Sequence, residues 1–206
     1  KEVKAAVKTG YSTNPIVHSF ALTAREFRIP MPLVTAFFKS MRMDLTNRTY
    51  DQQSYETYIY GSAEVVGLMS LRVFTGDDAL YNKLEKGASH LGAAYQKVNF
   101  LRDIKADAEG LQRWYFPFSS YETFDDSDRD RIIRDIDKDF VRAKKAASQL
   151  PDSSRRAVEL SITYYESLLD KIRRTPARVL KTKRIRINNA RKLALLLKVR
   201  TTRREA

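Results

Sequence analysis

The chain has 206 residues, enough for one domain with a sizeable core, and its 43% hydrophobic content excludes disorder as a description of the whole. Seven glycines and six prolines are too few for a turn-rich β sandwich, and the absence of cysteine excludes a disulfide framework, a thiolate zinc site and a thiol nucleophile. The net charge of +13 is localised: from Lys171 onward fourteen basic residues face one acid, while the first 170 residues carry 24 of each sign.

No apolar run approaches the roughly 20 residues of a membrane span. The opening residues show no signal-peptide pattern. Asn14 and Pro15 predict a helix start, running through Ile16, Phe20 and Ala24 to about Phe27. Pro30 and Pro32 break it, and Leu33, Phe37, Phe38 and Met41 begin a second helix that reaches about Leu45. A long apolar segment, 51–74, contains Gly61 and Gly67. Glycine inside a helix costs about 1 kcal/mol against alanine, so the pair implies close approach of a neighbour or ligand, or a kink. Thr75-Gly76-Asp77 reads as turn and cap, and a second long helix covers 78–107. Glu109-Gly110 ends it, and an aromatic loop with Trp114, Tyr115, Phe116 and Pro117 follows. Ser127 or Asp128 is the expected cap of a charged amphipathic helix to Leu150, and Asp152 or Ser153 that of another to Arg174. A last basic amphipathic helix is expected over 188–198. About seven helices and no strand make the chain all-α.

Within the second long helix, Gln96, Asn99, Asp103 and Asp107 fall inside an arc of about 80° at 100° per residue. Two amides and two carboxylates thus share one stripe, flanked by Val98, Phe100, Leu101 and Ile104. A solvated face explains Asp107, but explains Gln96 and Asn99 poorly. Carboxylates at i and i+4 repel by a few tenths of a kcal/mol. A hard divalent cation such as Mg²⁺ removes that repulsion.

The run Gly92-Ala-Ala-Tyr-Gln-Lys-Val-Asn-Phe-Leu-Arg-Asp-Ile-Lys-Ala-Asp107, followed by Arg113-Trp-Tyr-Phe-Pro117, resembles the second aspartate-rich signature of the squalene/phytoene synthase family. Tyr58-Ile-Tyr-Gly-Ser-Ala-Glu-Val-Val-Gly-Leu-Met69 resembles the family's other signature, and Met41-Arg-Met-Asp-Leu45 is similar too. The stretch from Arg184 to Leu195 looks like the end of bacterial phytoene synthases.

The resemblance implies an all-α, single-domain prenyl-synthase-type bundle around a central cavity, lacking its N-terminal helices. Residues 1–183 would be the head-to-head synthase domain and 184–206 a basic amphipathic tail. The implied activity is a prenyltransferase: Mg²⁺-dependent (or Mn²⁺-dependent) condensation of two geranylgeranyl diphosphates to phytoene through a cyclopropyl diphosphate, in carotenoid biosynthesis, without NADPH. Alternatives are a squalene-type synthase using farnesyl diphosphate, or a degenerate homologue that binds a membrane or partner. By position, Asp103 and Asp107 would hold the metal, with Asn99 as a further ligand. Gln96, Arg102 and Arg113 would lie near the diphosphate, Arg102 being about 120° off the stripe. Tyr58 would face the reacting carbons, and Ala63, Val66 and Gly67 would shape the prenyl channel.

The family's first aspartate-rich motif has no counterpart, since no Asp occurs before Asp44. With Lys1 in place of Met, the expectation is a fragment, one part of a split enzyme, or a degenerate homologue, inactive in isolation. A cytoplasmic protein is expected, with the basic tail either touching the inner face of the cell membrane or docked on the core. Nucleic acid is not an expected partner, because the tail has no aromatic residue after Tyr165. His18, His90 and the Tyr164-Tyr165 pair read as packing or surface residues.

Overall fold

The structure, a computed structural model, describes residues 1–194. The helices are α1 (Glu2–Thr9), α2 (Pro15–Glu26), α3 (Met31–Thr46), α4 (Gln52–Ile59), α5 (Val65–Thr75), α6 (Asp78–Lys105), α7 (Asp126–Ala147), α8 (Asp152–Arg173) and α9 (Ala177–Leu180). Two π turns, Tyr60–Glu64 and Ala106–Gly110, join α4 to α5 and extend α6. No strand occurs among the described residues; Thr49 and Trp114 form an isolated parallel bridge.

Local chemistry sets most of the ends. Asn14 Oδ1 accepts from the N–H groups of Ile16 and Val17, and Asp77 Oδ2 from Leu80 N–H at 2.7 Å. Gly76 closes α5 in the left-handed conformation at φ 59°. Several expectations shift. Pro32 sits in the first turn of α3, where its missing N–H is no loss, so that helix starts at Met31 rather than Leu33. The expected 51–74 helix is interrupted by a π turn, and the 78–107 helix becomes π-helical at Ala106. Asp125, not Ser127 or Asp128, caps α7 by accepting from Asp128 N–H at 3.0 Å. Pro151 occupies the cap position of α8, so Asp152 is its first helical residue. Helices α1 and α9 lack a sequence expectation. Of the expected 188–198 helix, residues 189–194 are helical and the rest lies outside the described residues.

Helix α6, 28 residues or about 42 Å long, is the hub. Helices α5, α7 and α8 and the first π turn pack on it. Leu84, Val98 and Leu101 on α6 meet Ile133, Ile136, Leu168 and Ile172 in the main core. Burial of each such side chain contributes about 1.5–3 kcal/mol. Gly61 and Gly67 are explained by close helix approach. A Cβ on Gly61 would lie 2.4 Å from the Ala36 carbonyl oxygen, and one on Gly67 2.6 Å from that of Ala88.

Between α6 and α7 lies a buried ionic cluster. Lys97 Nζ donates to Asp139 Oδ2 at 2.7 Å and also to Asp135, while His90 Nδ1 meets Asp139 Oδ1 at 2.7 Å. Burial works against the Lys97 ammonium, but the two aspartates outweigh it and hold its pKa above the usual range. His90 is thus part of a helix clamp.

Candidate active site

The acidic stripe emerges at the C-terminal end of α6. Asp103 is held by two guanidinium groups. Arg102 reaches it with Nη2 at 2.6 Å and Nε at 3.1 Å, and Arg184 with Nε at 2.6 Å. Arg102, although off the stripe by helical phase, folds back onto it. Arg184 arrives from the segment after α9, which Ile185 and Ile187 anchor in the main core. Its role was not legible in the sequence, where it is one of many basic tail residues.

Asp107 lies in the second π turn. Its carboxyl has no hydrogen bond or ion pair among the described residues. Burial, with Asp103 adding repulsion, pushes its pKa up to about 6. Asn99 sits one turn before Asp103, and its Oδ1 accepts from the Tyr165 hydroxyl at 3.4 Å. Gln96 is half-buried further back on the stripe.

A cavity of about 470 Å³ begins at Asn99 and is walled by α5, α6, α7 and α8. Ala63, Val66, Gly67 and Asn99 line it, as expected for a channel needing small side chains. Along α6 it runs from Asn99 to Leu84, about 22 Å at 1.5 Å per residue. Tyr165, expected to pack the core, instead stands on the cavity wall, its ring stacked on Tyr95 with centroids 3.9 Å apart. Tyrosine pairs carry no mark in the sequence that separates wall from core.

Tyr58 is not on that wall. It is 4% exposed, in an aromatic cluster with Tyr50, Phe100 and Tyr115. Its hydroxyl donates to Asp44 Oδ1 at 2.9 Å. Burial and the neighbouring Tyr115 and Asp44 raise its pKa far above the usual value, so the phenol stays neutral. Arg113, expected near the diphosphate, has both terminal nitrogens engaged: Nη1 with Asp44 Oδ1 at 3.0 Å and Tyr115 Oη at 3.1 Å, Nη2 with the Asp44 carbonyl at 2.8 Å.

The residues present fit one face of a divalent-cation site. Asp103 and Asp107 offer hard oxygen donors on adjacent turns, Asn99 offers an amide oxygen, and the buried Asp107 carboxyl lacks a counter-charge. Among the described residues, no three His, Cys, Asp or Glu side chains converge on a metal position. The stripe therefore suits a metal whose other ligands come from a bound anion and water.

A family model described as squalene/phytoene synthase matches residues 1–191. Phytoene synthase 3 of Zea mays is 31% identical over 171 residues, covering 73% of this chain and 39% of the relative. A presqualene diphosphate synthase of Rhodopseudomonas palustris is 28% identical, covering 83% and 57%. The chain thus spans about half the length of these curated relatives. Among solved structures, a squalene synthase from Alicyclobacillus acidocaldarius superposes with a TM-score of 0.72 at 22% identity, covering 84% of this chain and 70% of that one. A dehydrosqualene synthase solved with a ligand reaches a TM-score of 0.78 at 17% identity, covering 100% and 76%. At those identities the structural likeness establishes the fold, an all-α prenyl-synthase bundle.

Proposed function

Because the chain belongs to the squalene/phytoene synthase family, we propose that it forms the acidic-stripe part of an enzyme condensing two geranylgeranyl diphosphates head to head to phytoene. The observation that carries this reading is the Asp103–Asp107 stripe at one end of an apolar cavity about 22 Å long. With C–C bonds near 1.5 Å an isoprene unit extends about 5 Å, so a four-unit tail matches this length and a three-unit tail falls short.

Asp103 and Asp107, with Asn99, would hold Mg²⁺ (or Mn²⁺), which when bound neutralises the diphosphate as a leaving group. Arg102 and Arg184, folded on Asp103, are poised to turn toward that diphosphate. Gln96 lies beside the same stripe. Ala63, Val66 and Gly67 leave room for the tail, and the apolar walls keep water from an allylic cation. The faces of Tyr95 and Tyr165 stabilise a passing cation by about 0.5–2 kcal/mol. Tyr58 acts at the edge of this region, from the aromatic cluster. The exposed Arg174, Arg178, Lys183, Arg186, Arg191 and Lys192 have no carboxylate partner among the described residues, and would meet an anionic membrane surface. No described helix is long and apolar enough to cross a membrane.

The test incubates the complete gene product with Mg²⁺ and labelled geranylgeranyl or farnesyl diphosphate, without reductant. Phytoene that disappears in Asp103→Ala is expected. A product from farnesyl diphosphate alone would overturn the chain-length assignment, and no product from either would overturn the reading.

A further inference from the structure

Asp44, at the end of α3, belongs to no acidic stripe. Its carboxylate is nevertheless the one group that touches residues from both signature regions. Asp44 Oδ1 accepts from the Tyr58 hydroxyl at 2.9 Å and pairs with Arg113 Nη1 at 3.0 Å. The Asp44 carbonyl accepts from Arg113 Nη2 at 2.8 Å. Arg113 in turn donates its backbone N–H to the Asp107 carbonyl at 2.8 Å, just past the π turn that carries Asp107. A continuous chain of contacts therefore runs from Tyr58 through Asp44 and Arg113 to the backbone of Asp107.

We propose that Asp44 is a positioning residue for the condensation: it fixes Tyr58 on one side and, through Arg113, the Asp107 turn on the other. The inference rests on the function proposed above, and it reassigns Arg113 from diphosphate contact to brace. Three features support it. Both terminal nitrogens of Arg113 are engaged, its Nε is buried without a partner, and its side chain is only 10% exposed, so this guanidinium is not displayed to a ligand. Asp44 is the counter-ion that makes burial of Arg113 tolerable, and removing one partner of such a pair strands the other. The Tyr58 hydroxyl, committed as donor to an anion, directs its proton away from Tyr50 and Phe100 and leaves the phenol ring electron-rich. The Lys97 cluster, equally buried, differs in that it clamps two helices and touches none of these groups.

The experiment measures Mg²⁺-dependent binding of inorganic pyrophosphate by calorimetry, and turnover of geranylgeranyl diphosphate, in the complete gene product. The variants are Asp44→Asn, Arg113→Lys, their double mutant and Tyr58→Phe, each checked for fold by thermal melting. If Asp44 positions Asp107 through Arg113, Asp44→Asn and Arg113→Lys each weaken metal–pyrophosphate binding about tenfold or more, as losses behind a metal ligand do. The double mutant is then no worse than the weaker single one. Tyr58→Phe lowers kcat while pyrophosphate binding stays within about twofold, separating the two arms of the network. Arg113→Lys keeps the charge pair, so it reports on the brace even where Asp44→Asn fails to fold. Wild type that binds, with folded Asp44→Asn or Arg113→Lys binding and turning over equally well, overturns the role of Asp44 alone. Wild type that binds no metal–pyrophosphate overturns the proposed function and the brace with it.

Discussion

Asp107→Asn should stabilise the protein while abolishing metal binding. The Asp107 carboxyl is raised from the ordinary 3.8 to about 6, chiefly by burial. At 1.36 kcal/mol per unit this gap is about 3 kcal/mol. Asp107 keeps some contact with solvent, and screening reduces the figure to about 1–2 kcal/mol. The sign follows from proton binding. Between about pH 4 and 6 the native state keeps a proton that the unfolded chain has released, so stability from the neutral acid is complete below 3.8 and lost as pH rises through 6. Asparagine carries no such charge. Urea unfolding of wild type and variant should give equal stabilities near pH 4 and a variant more stable by about 1–2 kcal/mol near pH 8. In the same samples Mg²⁺–pyrophosphate binding should be lost in the variant, and in wild type it should strengthen as pH rises through about 6. A difference in stability that is the same at both pH values would refute the assignment of the charge penalty to Asp107.

Gly61→Ala would push a methyl to 2.4 Å from the Ala36 carbonyl oxygen, and should cost about 2–4 kcal/mol in urea unfolding by prising α3 from the first π turn. Lys97→Met strands Asp139 between helices and should cost about 3–5 kcal/mol, most of it recovered in Lys97→Met/Asp139→Leu. Arg184→Ala removes a competitor for Asp103, so Mn²⁺ alone should bind up to about fivefold more tightly, read by electron paramagnetic resonance.

The fold was largely legible because capping chemistry is local. Asn14, Asp77 and Gly76 each announce an end through their own side chain or lack of one. The acidic stripe was legible for the same reason, since α-helical phase alone brings Asn99 and Asp103 to one face. What was hidden depends on contacts far apart in the chain. Arg113 pairs with Asp44 across 69 positions and Arg184 with Asp103 across 81, and no periodicity encodes such meetings. The π turns were hidden for another reason. A single extra residue per turn leaves an apolar pattern that still reads as helix.

Those two π turns also bear on how the chain tolerates changes of length. Each lies inside one of the two signature regions, and each is in effect one residue accommodated within a helical rod. Deleting a residue from 60–64 would let the rod relax to regular α-helix, turning all that follows by about 100° and drawing it back about 1.5 Å. Gly67 would leave the Ala88 carbonyl it now faces, and a bulkier neighbour would meet it. Deletion within 106–110 would likewise swing Arg113 away from Asp44. Length variation in this scaffold is therefore confined to the connecting loops, and natural diversity within the signatures should accumulate by substitution, with their residue count held constant.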